Sequence, residues 1–369
     1  MMEQPVKKQR LEWLDALRGF TMILVVAFHV GLHGFELPTR MSSSMNFLVL
    51  FRMPLFFFVS GFLAYKAGRT WNLRTLRQLI VKKIEIQTIP TIVFFFFAAM
   101  VLGSNFQETV MSWLILPTKG GYWFTIVLLY MFIVYYLFSY IESKFFRCLS
   151  PQAARRISWV PIVLLFVVSL LFYESCYLPR IFVWAQGHRG ARSDFMDYSS
   201  LGQLFMYFPF FLYGNIVRRY WDTAQRVMDS RWFYPVIVVI VIFAALDSQQ
   251  WHVLRMEWAI LPLTLARFML LTMVFMYFRY YHQYFTKMTW VGRSLQYIGR
   301  RTLDIYLIHF LFMPQLPIVG EFFKTYRHNF VMDTTLSVLI AIIIIGFCII
   351  TSNILRVSPF FRKWLFGRT

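Results

Sequence analysis

Acidic side chains are scarce in this sequence: 17 Asp and Glu stand against 37 Lys and Arg, and charged residues of both signs make up only 15% of its 369 residues. With 59% hydrophobic residues and a mean hydropathy of +0.57, that shortage of charge excludes a soluble domain of this size. Cysteine is equally sparse. Cys148, Cys176 and Cys348 fall in three separate segments, with no CxxC pair and no histidine at metal-ligand spacing, so neither a zinc module nor a redox pair is expected, and the three read as structural. No internal repeat, coiled coil or low-complexity tract is present. The net charge of +20 suggests nucleic acid at first sight, but no zinc-finger, helix-turn-helix or RNA-binding signature accompanies it. The basic residues instead cluster in short segments between hydrophobic runs, as membrane topology requires.

Those runs are what the sequence has in abundance. Ten are long enough to span a bilayer, at about 14–33, 47–65, 84–103, 122–140, 158–173, 201–217, 233–247, 257–279, 302–320 and 333–355. If they alternate in direction, the connections on one side hold 26 Lys and Arg and those on the other hold 8. The positive-inside rule then places both termini in the cytoplasm. A basic start (Lys7, Lys8, Arg10) precedes an apolar stretch that lacks a small-x-small cleavage site, which reads as a retained signal anchor. The expected architecture is all-α: a polytopic membrane helix bundle over residues 1–369, with no appended soluble domain. The longest outer connection, 174–200, contains GHRGARSDFMD and reads as a polar loop.

Ionisable residues inside a span ask for a reason. In the first span Arg18 and His29 stand eleven residues apart, so at about 100° per residue they share one helix face, about 16 Å apart along the axis. Asp15, one turn before Arg18, is placed to brace the guanidinium. An arginine near a helix end can simply snorkel to phosphates, and an isolated intramembrane histidine is often a packing residue. The alignment of the two on one face with an acidic brace favours function. His29 and His33 are four residues apart, a metal-ligand spacing, but no acidic residue lies between them and no third ligand is evident, so no metal is expected.

These residues carry a resemblance. RLEWLDALRGFTMILVVAFH (10–29) resembles the opening of the acyltransferase-3 family of membrane acyltransferases, the bacterial O-acetyltransferase type, whose first helix carries an arginine and a histidine separated by ten residues. RMPLFFFVSGFLAYK (52–66), GYWF (121–124), MYFPFFLYGNIVRR (206–219) and IGRRTLDIYLIHF (298–310) are similar to later segments of the family, in family order. One departure stands out. Where the family has an arginine-rich entry to its third helix, this chain reads VKKIEIQTIP (81–90), with Lys82 and Lys83 but Glu85 and Gln87. Arg74 and Arg77, or Arg300 and Arg301, are the candidates to supply the missing charge.

The resemblance implies transfer of an acyl group, most often acetyl, from cytoplasmic acyl-CoA to a hydroxyl of a cell-surface carbohydrate or its lipid-linked precursor. It also implies a multi-pass protein of the bacterial inner membrane, in contact with lipids and not with nucleic acid, with acyl-CoA as a substrate and no resident cofactor. Such chemistry needs cations for the donor phosphates, for which Arg10, Arg18, Lys82 and Lys83 are placed, with Asp15 as brace. It also needs a base or acyl acceptor, for which His29 is the candidate; the sequence leaves both roles open. Arg52 is placed to hold an acidic acceptor or a developing oxyanion, and Trp123, Tyr306 and His309 to support acceptor or transition state. Tyr122 suits stacking on substrate or an interfacial aromatic belt, Ser60 suits close helix packing, Asp304 suits pairing with Arg300 or Arg301, and Arg267 suits a partner within the bundle. A proton-coupled secondary transporter of a polar or acidic solute is the rival reading, and a pH-responsive membrane sensor ranks behind it.

Overall fold

The computed structural model describes residues 11–177, 195–248, 260–326 and 329–366. Arg10 and most of the 174–200 connection, including GHRG at 187–190, lie outside them. Every regular element among the described residues is helical. The chain runs through α1 (Glu12–His29), α2 (Ser43–Ala64), α3 (Leu73–Lys83), α4 (Ile89–Leu102), α5 (Phe106–Ile115) and α6 (Trp123–Arg147). A short α7 (Pro151–Ile157) leads to α8 (Val160–Tyr177), followed by α9 (Leu201–Arg219), α10 (Trp221–Met228), α11 (Phe233–Ser248) and α12 (Ile260–Tyr280). The last part holds α13 (Trp290–Arg300), α14 (Thr302–Ile308), α15 (Pro317–Thr325), α16 (Phe330–Leu355) and α17 (Pro359–Trp364).

Local chemistry explains many of the boundaries. Ser42 caps α2 by accepting from the Met45 backbone N–H, Asn72 caps α3 through Thr75, and Thr289 caps α13 through Gly292. Two stretches close with π-helical turns, Val30–Gly34 directly after His29 and Ile84–Thr88 between α3 and α4. Such turns are rare and tend to re-aim side chains at functional positions.

Among the described residues six stretches are long and apolar enough to cross a membrane: Glu12–Gly34, Ser44–Ala64, Leu73–Leu102, Trp123–Arg147, Pro151–Tyr173 and Phe330–Leu355. Their exposed side chains are oily, as with Leu164 and Leu171 on α8 and Ile343 and Phe347 on α16, which is what contact with lipid calls for. The molecule is a multi-pass membrane helix bundle. The expected ninth span, 302–320, is not one straight crossing. After α14 and a 3-10 turn (His309–Phe312) the chain bends by 94° into α15. Pro314 and Pro317 lie at this break, where each removes a backbone donor and a helix cannot continue.

The bundle is built around α1 and α2. Their apolar windows are 67% and 72% buried, whereas those of Pro151–Tyr173 and Phe330–Leu355 are 17% and 28% buried, so the latter are peripheral. Two glycine pairs bring the central helices into backbone contact with their neighbours. A Cβ on Gly299 of α13 would stand 1.8 Å from the Asp15 carbonyl oxygen, and one on Gly19 of α1 2.0 Å from that of Leu295. Between α2 and α9 the pair is Gly61 and Gly214, each facing the other helix's carbonyls. Small residues are what permit such approach between membrane helices. The role expected for Ser60 therefore belongs to its neighbour Gly61; the Ser60 hydroxyl donates to the Phe56 carbonyl. Arg267 finds its partner in the Tyr173 hydroxyl, 2.9 Å from Nη1.

Candidate active site

Two cavities lie along the shared face of α1. The first, about 630 Å³, has His29 and His33 in its wall together with Arg52, Trp123, Tyr306, Thr118 and Gln315. The second, about 450 Å³, is lined by six cations: Arg18, Lys66, Arg69, Lys82, Lys83 and Arg300. The stripe read from the sequence is thus real, and its two ends open into different chambers.

At the histidine end, His29 Nδ1 lies 2.7 Å from His309 Nε2. His309 is completely buried behind His29, and its Nδ1 sits 2.8 Å from the Tyr306 carbonyl and 3.1 Å from that of Ile305. Carbonyls only accept, so His309 Nδ1 carries the hydrogen and Nε2 must accept. His29 Nδ1–H is then the donor to His309, and the neutral His29 ring keeps its lone pair on Nε2. The wall of the cavity therefore presents an imidazole whose tautomer is fixed by a carbonyl–His–His chain. His309 contributes from behind, not as a residue lining the acceptor side. His33 is exposed, with its ring 5.8 Å from that of His29, and among the described residues no group of three or more His, Cys, Asp or Glu side chains is placed to hold a metal ion.

Arg52 projects from α2 into the same cavity. It is 9% exposed, its guanidinium lies 3.5 Å from the centre of the Phe28 ring, and its buried Nε has no hydrogen-bond partner. Among the described residues no carboxylate lies within ion-pair distance. A cation–π contact recovers only about 2 kcal/mol of the cost of desolvating such a charge. Trp123 lines the cavity and stacks on Tyr207, with centroids 5.5 Å apart. Tyr122 does neither of the things expected of it. It is fully buried, donates to the Leu307 carbonyl at 3.0 Å, and so ties α6 to α14 instead of meeting substrate or interface.

The turn before α6 shapes this wall. Lys119, Gly120 and Gly121 all adopt positive φ, and a Cβ at Gly121 would collide with the Phe310 ring. The Gly121 carbonyl accepts from the Tyr306 hydroxyl at 2.5 Å, and that oxygen in turn accepts from the Phe124 backbone N–H at 3.2 Å. Tyr306 is held from both sides.

At the basic end, Arg18 Nη2 donates to Thr302 Oγ1 at 2.9 Å, which couples α1 to the start of α14, and Asp15 stands 3.8 Å away as a loose brace. Among the described residues Asp304 is the one carboxylate in the lining, and it is already engaged: Arg356 reaches it at 2.6 Å, Ser352 at 2.8 Å and Arg301 at 3.5 Å. The expected pairing with Arg301 is present, and Arg356 is the nearer cation. Lys82 and Lys83 line this cavity, with Lys83 Nζ 3.5 Å from the Phe132 ring centre. Gln87, at the departure from the family pattern, also faces this cavity and donates to the Thr125 carbonyl at 2.6 Å. Arg300 lines the cavity, as do Lys66 and Arg69, which sequence reasoning missed; Arg74 and Arg77 do not. The available signal was their position at the end of the second span, where Lys66 closes the SGFLAYK segment and Arg69 follows it.

A buried histidine relay in one chamber, a basic chamber behind it and a lipid-facing helical shell define a polytopic membrane protein with an enzyme-like site. The chain belongs to the acyltransferase-3 family: that family's acyltransferase-domain model matches residues 11–353. Among curated proteins it is similar to glucans biosynthesis protein C of Salmonella paratyphi B, 23% identical over 245 residues, which is 60% of this chain and 62% of that protein. It is likewise similar to glucans biosynthesis protein C of Escherichia coli K12, 22% identical over 233 residues, covering 58% and 59% of the two chains. In both cases less than two thirds of the relative's length is matched. No solved structure matches the chain.

Proposed function

We propose that the protein transfers an acyl group, acetyl in the first instance, from acyl-CoA to a hydroxyl of a carbohydrate, with His29 as general base. The observation that carries this is the His29–His309 hydrogen bond, which leaves the one unshared imidazole nitrogen for the cavity. The basic chamber supports the donor half. CoA is phosphate-rich, and six cations with their acidic neighbour already engaged suit it. Arg18 and His29 are about 16 Å apart along α1, a distance a pantetheine arm can cover. On a ten-crossing topology with the basic connections inside, this chamber lies on the cytoplasmic side of a bacterial inner membrane, and the whole chain acts as one unit. A glycan or its lipid-linked precursor then enters the histidine chamber, where Trp123, Gln315 and Thr118 offer stacking and hydrogen bonds.

The reaction proceeds without a protein-bound intermediate. The acceptor hydroxyl gives its proton to His29 Nε2 as its oxygen attacks the thioester carbon. His309, fixed by the Tyr306 and Ile305 carbonyls, keeps the ring oriented while the positive charge develops. Collapse of the tetrahedral intermediate breaks the C–S bond, and the imidazolium returns the proton to the departing CoA thiolate. Arg52 faces the negative charge, either of the oxyanion or of an acidic acceptor.

The test uses purified protein in nanodiscs with radiolabelled acetyl-CoA and a cell-envelope glycan extract, following CoA release and label transfer. Transfer by the wild type that is lost in a folded His29→Ala variant supports the reading; normal transfer by that variant rejects it. Two chambers separated within the membrane also suit a proton-coupled transporter. Such a protein takes up solute in vesicles and leaves acyl-CoA unconsumed.

A further inference from the structure

The two chambers are distinct but share three lining residues: Phe56 of α2, Phe124 of α6 and Tyr306 of α14. Their rings form a partition. Phe56 and Phe124 meet edge to face with centroids 4.9 Å apart, and Phe124 meets Tyr306 in the same way at 5.3 Å. All three side chains are buried. Their mobility is unequal. The Tyr306 hydroxyl is clamped between the Gly121 carbonyl and the Phe124 N–H, so that ring is a fixed post. The Phe56 and Phe124 rings are held by packing alone, and edge-to-face pairs of this kind are worth about 0.5–1.5 kcal/mol beyond their burial. They are the movable parts.

We propose that this partition selects the acyl group by its cross-section and not by its length, an inference that rests on the acyl-CoA reading above. The phosphates stay among the cations, so the thioester has to travel through the partition to reach His29, and the acyl group goes first. The cysteamine and β-alanine portions that follow are unbranched. An opening just wide enough for them passes a linear acyl group of any moderate length, because about 630 Å³ of cavity lies beyond. A branched or aromatic acyl group is wider than the arm behind it and is stopped at Phe56 and Phe124. The closed rings also keep water in one chamber from the thioester in the other.

The experiment compares acetyl-, butyryl-, isovaleryl- and benzoyl-CoA in nanodiscs, reading CoA release with and without the glycan extract. Variants are Phe56→Leu and Phe124→Leu, with Phe57→Leu as control. Phe57 packs on Phe124 at 5.0 Å but lines neither chamber, so it reports on general loosening. The wild type is expected to use acetyl- and butyryl-CoA within a few-fold of each other and the two wide donors at least tenfold less. Each partition variant should raise the isovaleryl-to-acetyl ratio tenfold or more and increase acceptor-independent CoA release, while Phe57→Leu keeps the wild-type ratio. Thermal unfolding of each variant confirms that it is folded, and having two partition variants guards against one failing to fold. If the wild type uses benzoyl-CoA as readily as acetyl-CoA, the inference fails. It fails equally if the ratios in folded partition variants match the wild type's or move as they do in Phe57→Leu. A wild type that consumes no acyl-CoA at all overturns the proposed function itself, a result distinguishable from the others, and takes this inference with it.

Discussion

His29 and His309 are 280 residues apart in the chain and 2.7 Å apart in space, with the second ring completely buried behind the first. The arrangement assigns them unequal roles. His29→Ala removes the base and is expected to lower kcat by about 10²–10⁴-fold. His309→Ala leaves the base in place but frees its tautomer and orientation, with an expected loss of roughly 10–100-fold in kcat and little change in KM for acyl-CoA. Steady-state kinetics on the two variants checks the order. Equal losses, or a His309 effect confined to KM, contradict the relay.

If His29 acts as a base, no acyl group ever resides on the protein. Acid quenching during turnover with acyl-labelled donor should therefore leave no label on the protein, and the intact mass should match that of the resting chain. Label that survives on a peptide containing His29 shows the nucleophilic route instead.

Replacing Lys82, Lys83 or Arg69 by Gln should act on the donor. Each loses a charge-assisted contact of about 1.5–3 kcal/mol, so KM for acyl-CoA rises by roughly 10–100-fold with kcat nearly kept. Because the cations line an open chamber, the wild-type KM should also rise with ionic strength. A salt-independent KM places the donor elsewhere.

Arg52 is a different kind of cation, buried against Phe28 with an unsatisfied Nε. Arg52→Met removes a desolvated charge, so its unfolding temperature should equal or exceed the wild type's, while transfer falls about 10–100-fold. Measuring both on the same preparation separates a binding role from a structural one. A variant that is less stable and fully active shows Arg52 to be a packing residue.

Gly299→Ala sets a methyl group against the Asp15 carbonyl, with no flexible side chain available to yield. Overpacking of this type costs about 1–3 kcal/mol or more, and it should also disturb Arg18, which lies one turn from that contact. The expected result is a lower unfolding temperature together with a higher KM for acyl-CoA.

Much of this was legible in the sequence, and the parts that were not have physical reasons. Arg18 and His29 share a helix, and helical periodicity alone puts them on one face. Lys82 and Lys83 were readable as charges at a membrane boundary. The pairing of His29 with His309, the clamp on Tyr306 and the partition formed with Phe56 and Phe124 depend on contacts between distant segments, and no periodicity reports those. Lys66 and Arg69 look like any other positive-inside residues until the fold turns them toward Arg18. The bend after α14 is a different case. Pro314 and Pro317 announced it, but the hydrophobicity of 302–320 outweighed them in the reading. Ser60 and Tyr122 were assigned by residue type, and the fold gave their roles to Gly61 and to a bond between helices.

The π turn at Val30–Gly34 sets a phase as well as a direction. It holds one residue more per turn than an α-helix does, and the chain that leaves it is docked at once: the Gly34 carbonyl accepts from the Leu316 N–H at 2.7 Å, and Gly320 lies against the Phe35 carbonyl. Deleting a single residue there would close the wide turn to an ordinary helical one, and the residues between His29 and Phe35 would lose the positions it gives them. The segment is therefore sensitive to its count of residues. Along this stretch, variants that alter length are expected to be purged more strictly than variants that alter side chains.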